Sequence, residues 1–97
     1  MLMKPIVGVY GFWANEEGEI RVAKDRTVWR AWPAAALQDH DNSLWLVEPF
    51  KGVQLRADVL IWETFVGPVP FGQSVAQHDK NYKNLALENL FLEHGVE

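Results

Sequence analysis

Apolar and polar positions divide this chain into two unequal regimes, an alternating one that runs to about residue 56 and a helical one that begins at residue 57. Residues 6 to 13, Ile-Val-Gly-Val-Tyr-Gly-Phe-Trp, are β-branched and aromatic, and Asn15-Glu16-Glu17-Gly18 supplies turn chemistry behind them, so a strand and a reversal are expected. Residues 19 to 24 alternate, with Ile20 and Val22 on one face and Arg21 and Ala23 on the other. Thr27 to Trp32 reads as a further strand stopped by Pro33. Gln38 to Ser43 is a polar reversal before the apolar run Leu44-Trp45-Leu46-Val47, and Glu48 to Gly52 turns the chain again before Val53 to Leu55. Ala57, Leu60, Ile61 and Phe65 then recur at helical spacing, with Asp58 in the first turn and Gly67-Pro68 as the stop. A short strand near Ser74 to Gln77, a polar loop and a helical turn near Leu87 to Leu90 complete the expectation.

The pattern predicts an α+β fold: an N-terminal antiparallel β-meander (1–56), then one helix and a shorter C-terminal motif (57–97). At 97 residues the chain is expected to form a single domain. Five tryptophans and an apolar fraction of 48% provide enough surface for a core. The absence of cysteine removes disulfides, thiolate metal sites and a Cys nucleophile, leaving oxygen and imidazole chemistry. Met1 to Pro5 is too poor in apolar residues for a signal peptide, and no run is long enough to span a bilayer, so a soluble cytoplasmic protein without membrane attachment is expected. The net charge of -4 argues against strong affinity for nucleic acid, although Lys4, Arg21, Lys24, Arg26 and Arg30 gather in the first third.

Phe65-Val66-Gly67-Pro68-Val69-Pro70-Phe71-Gly72, followed by Val75-Ala76-Gln77-His78-Asp79-Lys80-Asn81-Tyr82-Lys83-Asn84 and Glu88-Asn89-Leu90, is the segment that carries a resemblance. It is similar to the HNH endonucleases of phages and mobile introns, in which a helix ends in a Phe-x-Gly-Pro-x-Pro-x-Gly turn and a V-x-H-x-D-G-N-x-x-N-x-x-x-x-N-L run follows. Tyr10 to Asp25 resembles, more loosely, the small strand module that precedes such domains, with Gly18-Glu19-Ile20-Arg21-Val22 at its end.

The resemblance implies a truncated HNH-like ββα motif, and a hydrolytic site built from three groups. A ligand just before the motif His holds a divalent metal, that His takes a proton from the attacking water, and an Asn or His on a following helix completes the metal site. In this chain the ligand position holds Ala76 and the base position holds Gln77, whose amide is no proton acceptor at neutral pH. The last ligand is expected on a helix beyond Asn89-Leu90, for which little chain remains before Glu97. Asp79, Asn81, Asn84 and Asn89 fall on family positions that hydrogen-bond the loop backbone, so they are expected to be structural. Lys80 replaces a glycine, which implies an altered loop conformation.

Other residues have both a functional and a plain reading. His78 is a substitute base, or a solvent-facing side chain, since a one-residue offset in a strand reverses its face. Asp39-His40-Asp41 offers metal-binding types, or an ordinary hairpin turn. His94 is expected to be frayed and inert. Arg21, Lys24 and Arg26, with Lys80 and Lys83, are candidate nucleic-acid contacts, against a solvated charged face. Trp29, Arg30 and Trp32 are candidate protein contacts: in a strand the two tryptophans face opposite ways, leaving one exposed beside an arginine, unless the small sheet is covered on both faces.

These readings give three functions. The first is a phage-type, catalytically inactive HNH-like domain, without metal or other cofactor, that binds a host protein as an inhibitor or takeover factor in the host cytoplasm. The second is a metal-dependent nicking nuclease that uses His78, and the third a DNA-binding module that does not cleave.

Overall fold

The computed structural model describes residues 2–95. Its one α-helix, α1 (Ala57–Phe65), forms where the apolar period changes, and Ala57, Leu60, Ile61 and Thr64 make its buried stripe. The helix ends at Gly67, whose φ of 146° is open to glycine and whose N–H, with that of Val66, donates to the Trp62 carbonyl. Three small antiparallel sheets surround it: β1 (Lys4–Pro5), β2 (Phe12–Ala14) and β3 (Ile20–Val22); β4 (Gln38–His40), β5 (Ser43–Val47) and β6 (Gln54–Arg56); and the hairpin of β7 (Gln73–Gln77) with β8 (Leu90–His94). The core joins side chains from all three to α1, with Leu46 and Ile61 at 1% and 0% exposure. The structure is thus α+β, with the meander first and the helix and hairpin after it.

The β4–β5 hairpin closes through Asp41 and Asn42, both at φ 55°, a left-handed pair that short Asx side chains tolerate. At the β2–β3 turn, Asn15 is fully buried; its side-chain Oδ1 accepts the N–H groups of Glu17 and Glu19 while its side-chain amide donates to the Glu19 carboxylate. Glu16 in that turn accepts the Leu87 N–H at 2.8 Å, which docks the N-terminal sheet onto the loop leading into β8.

Four expectations need correction. Residues 6 to 13 are not one strand: the chain leaves β1, turns inward to bury Ile6 and Val9, and returns at Phe12, using positive φ at Gly8 and Gly11. Both glycines lie inside what composition reads as an apolar run. Thr27 to Trp32 is not a strand either, since Trp29–Ala31 forms a 3-10 turn and its N–H groups are satisfied locally, Ala31 by Val28 and Trp32 by Trp29. Leu90–His94, in place of a lead into a helix, forms β8, and His94 is held there opposite Gln73 with its side chain exposed. Gln38–His40 lies outside the expected reversal and forms β4, so that only Asp41 and Asn42 turn the chain; Lys80 adopts the left-handed conformation itself, at φ 61°.

Candidate functional site

Strand β7 delivers Val75 into the core and carries Ala76 and Gln77 to its end, where Gln77 lies opposite Leu90 of β8. The Gln77 amide does not face solvent unengaged. Its Nε2 donates to Asp58 Oδ2 at 2.8 Å, and the Asp58 carboxylate, on the first turn of α1, is buried. Arg56, the last residue of β6, grips the same carboxylate with two groups, Nε at 3.1 Å and Nη2 at 2.7 Å. The guanidinium also donates to the Val75 carbonyl, and the Val59 N–H donates to Asp58 Oδ1. One carboxylate thereby ties β6, α1 and β7 together, with its charge compensated and its oxygens filled.

The polar loop after β7 is organised by Asp79. Its Oδ1 accepts the Asn81 N–H at 2.8 Å and the Asn89 amide at 2.9 Å, while Oδ2 accepts the Asn84 amide at 2.9 Å. The Asn84 amide first, then the Asn81 N–H and the Asn89 amide, hold the Asp79 carboxyl below the usual aspartate range. Asn89 is buried and also donates to the Asn84 carbonyl, and its own carbonyl oxygen accepts the Asp79 N–H. The loop is braced from outside by Tyr82, whose hydroxyl donates to Asp39 Oδ1 at 2.7 Å, and by Lys83, whose ammonium lies 3.4 Å from Asp39 Oδ2. That hydrogen bond lowers the Asp39 carboxyl and raises the Tyr82 hydroxyl relative to their ordinary values.

These residues do not fit a divalent metal. Ala76 offers no side-chain donor atom, Gln77 supplies at most a neutral amide oxygen while its nitrogen is bound to Asp58, and the Asp58 carboxylate is paired with Arg56. Asp39, His40 and Asp41 do not converge: Asp39 serves Tyr82 and Lys83, whereas His40 stacks on Trp45 at 5.1 Å and meets Asp41 at 3.1 Å. Among the described residues no three His, Asp or Glu side chains gather to hold an ion. His78 is exposed and stacks on Phe91 at 4.5 Å.

A second cluster forms on the outer face of the N-terminal sheet. Trp13 and Arg21 pair across β2 and β3, opposite to the core-facing Ala14 and Ile20. Trp32 is 8% exposed and packs edge-to-face on Trp13 at 5.6 Å. Trp32 is therefore not an exposed contact, and it covers part of this sheet's outer face, leaving Trp13 half-buried. The Arg21 guanidinium donates to the Trp32 carbonyl at 2.8 Å and pairs with Glu19 at 3.0 Å, so it is already occupied. Trp29 is half-buried, with the Arg21 and Arg30 guanidinium groups 5.5 and 4.7 Å from its ring. Lys24 and Arg26 lie in the adjoining exposed loop, while Lys80 and Lys83 belong to the motif loop, the latter taken up by Asp39.

Sequence reasoning read Asp58 only as a favourable first-turn charge and passed over Arg56. The available signal was an arginine two residues before an acid that sits beside Ala57 at the start of an apolar stripe, a place where a lone carboxylate needs a partner.

No helix among the described residues is long and apolar enough to cross a membrane. No protein-family model and no curated protein matches the chain. The fold is similar to a solved structure of DNA binding and cleavage by the HNH homing endonuclease I-HmuI, with a TM-score of 0.72 at 20% identity, over 97% of this chain and 53% of that one. This chain thus spans about half the length of that nuclease. With its helix, its Gly-Pro turn and the β7–β8 hairpin enclosing the Asp79 loop, the chain has the HNH endonuclease fold.

Proposed function

We propose that this chain is a non-cleaving form of the HNH fold that acts by binding another protein, as an inhibitor or takeover factor of phage type would act on its host. One observation carries the reading: at the position where the resemblance places the proton-accepting imidazole, the Gln77 amide is committed to the buried Asp58 carboxylate at 2.8 Å. An amide cannot serve as a general base, and this one is also held by an acceptor that two Arg56 hydrogen bonds fix in place. The neighbouring Ala76 leaves the metal-ligand position empty of side-chain donor atoms. With hydrolysis set aside, the acidic balance of the chain favours a protein partner over the nucleic-acid backbone.

Purified protein incubated with supercoiled plasmid and Mg²⁺ or Mn²⁺ tests the first half of this reading. No conversion to the nicked form is expected above a no-protein control. Robust nicking that disappears in His78→Ala would overturn it in favour of a nuclease with a displaced base.

A second reading, a DNA-binding module without cleavage, is supported by Lys24, Arg26, Arg30 and Lys80, which form no ion pair among the described residues. Its mark is retention on duplex DNA that weakens steeply with salt.

A further inference from the structure

The segment after β3 holds an unbalanced charge. From Ala23 to Ala31 it carries Lys24, Arg26 and Arg30, none of them ion-paired among the described residues, against the single carboxylate Asp25, which accepts the Arg26 N–H. The same segment exposes Val28 at 72% and holds Trp29 half-open beneath the Arg30 guanidinium. Beside it, a groove of about 810 Å³ runs between the turn at Gly8 to Gly11 and the start of this segment. Its wall includes Tyr10, which is 85% exposed, together with Trp13, Lys24 and Asp25, so the groove itself is balanced and the excess of positive charge lies in Arg26 and Arg30 beyond it.

We propose that this face is the docking surface for an acidic protein segment that carries apolar side chains. This rests on the reading above, that the domain acts by binding a protein, and names where it binds and what it binds. Tyrosine and tryptophan along an apolar groove, with arginine in the segment that continues from its wall, is the composition in which few side chains supply most of the binding energy. The three cations select a partner of opposite sign, and the apolar groove distinguishes a peptide from a phosphate backbone, which offers it nothing to bury. The negative charge of the chain as a whole penalises a long polyanion more than a short acidic segment.

The test is titration of the isotopically labelled protein, followed by amide NMR shifts, with a short synthetic peptide that alternates Asp and Glu with Leu and Phe. The same peptide with lysine for its acids and a mixed-sequence DNA duplex serve as parallel probes, all at near-physiological salt. Saturating shifts confined to residues 8 to 11 and 23 to 31 are expected with the acidic peptide alone. Affinity is expected to fall about tenfold in Lys24→Glu/Arg30→Glu, two exposed changes whose spectra elsewhere report an intact fold, and also in Tyr10→Ala. Absence of saturation, shifts centred elsewhere, or stronger shifts of the same amides by the duplex would each overturn the proposal. None of those outcomes bears on cleavage, which the plasmid assay reads separately.

Discussion

Gln77 and Asp58 meet across 2.8 Å, an amide at the end of β7 donating to a carboxylate on the first turn of α1. The contact belongs to a chain of charge-assisted hydrogen bonds whose far end is Arg56. Gln77→Leu is expected to destabilise the fold by about 1.5 kcal/mol, the value of one hydrogen bond to a charged group. Arg56→Met should cost about 3 kcal/mol, because it strands a buried carboxylate; the figure lies at the low end for buried pairs since a third of the Arg56 side chain is open to solvent. Urea unfolding of both variants and of the double variant measures the coupling directly.

Acid should loosen the motif loop through Asp79. Its hydrogen bonds depress the folded-state value below that of the unfolded chain, so the stabilisation is complete above the ordinary aspartate value of about 3.9 and is lost as pH falls toward the depressed value. Asp39, lowered chiefly by the Tyr82 hydroxyl, contributes in the same window. The urea midpoint is expected to decline below that pH in the native chain and to decline less steeply in Asp79→Asn. Equal slopes would show that the loop carboxylate plays no part.

Gly18→Ala should be among the most damaging single changes. The glycine sits at φ 90°, and an added Cβ would lie 2.5 Å from the Leu85 backbone carbon, which cannot yield as a side chain could. A loss of about 2 kcal/mol or more is expected, together with amide NMR changes on both the β2–β3 turn and the loop at Leu85.

Lys80 offers the opposite case. It pays the left-handed strain of about 1 kcal/mol that a glycine would not, so Lys80→Gly should stabilise by about 0.5 kcal/mol after the greater freedom of the unfolded chain is deducted. Lys80→Val should destabilise by about 1 kcal/mol, because a β-branched residue tolerates that backbone poorly. Thermal melts of the pair should move in opposite directions.

The helix was legible because its signal is local, an apolar period of about 3.6 bounded by Gly67-Pro68, whereas the roles of Asp79, Asn81, Asn84 and Asn89 were implied by the resemblance to the HNH pattern. The reversal at Asp41 and Asn42 was legible through local turn chemistry, but β4 was not, because Gln38-Asp39-His40 is polar and reads as part of the turn. The Trp29 turn was not, because its surroundings come from elsewhere in the chain: Arg21 of β3 lies over Trp29, and Trp32, which follows the turn, packs on Trp13 of β2. Strand β8 was missed because Leu90 to His94 is short and its pairing partner lies across the whole motif loop. The largest omission was the Arg56 and Asp58 pair, whose meaning depends on where Gln77 arrives some twenty residues later.

Two indole rings held edge-to-face at 5.6 Å and 74° in a chiral setting couple their electronic transitions. The Trp13 and Trp32 contact therefore gives the outer face of the N-terminal sheet an exciton signature in circular dichroism that neither Trp45 nor Trp62 shares. Heating the protein while following that band beside the backbone signal shows whether this sheet and the helix–hairpin half melt as one cooperative body or in succession.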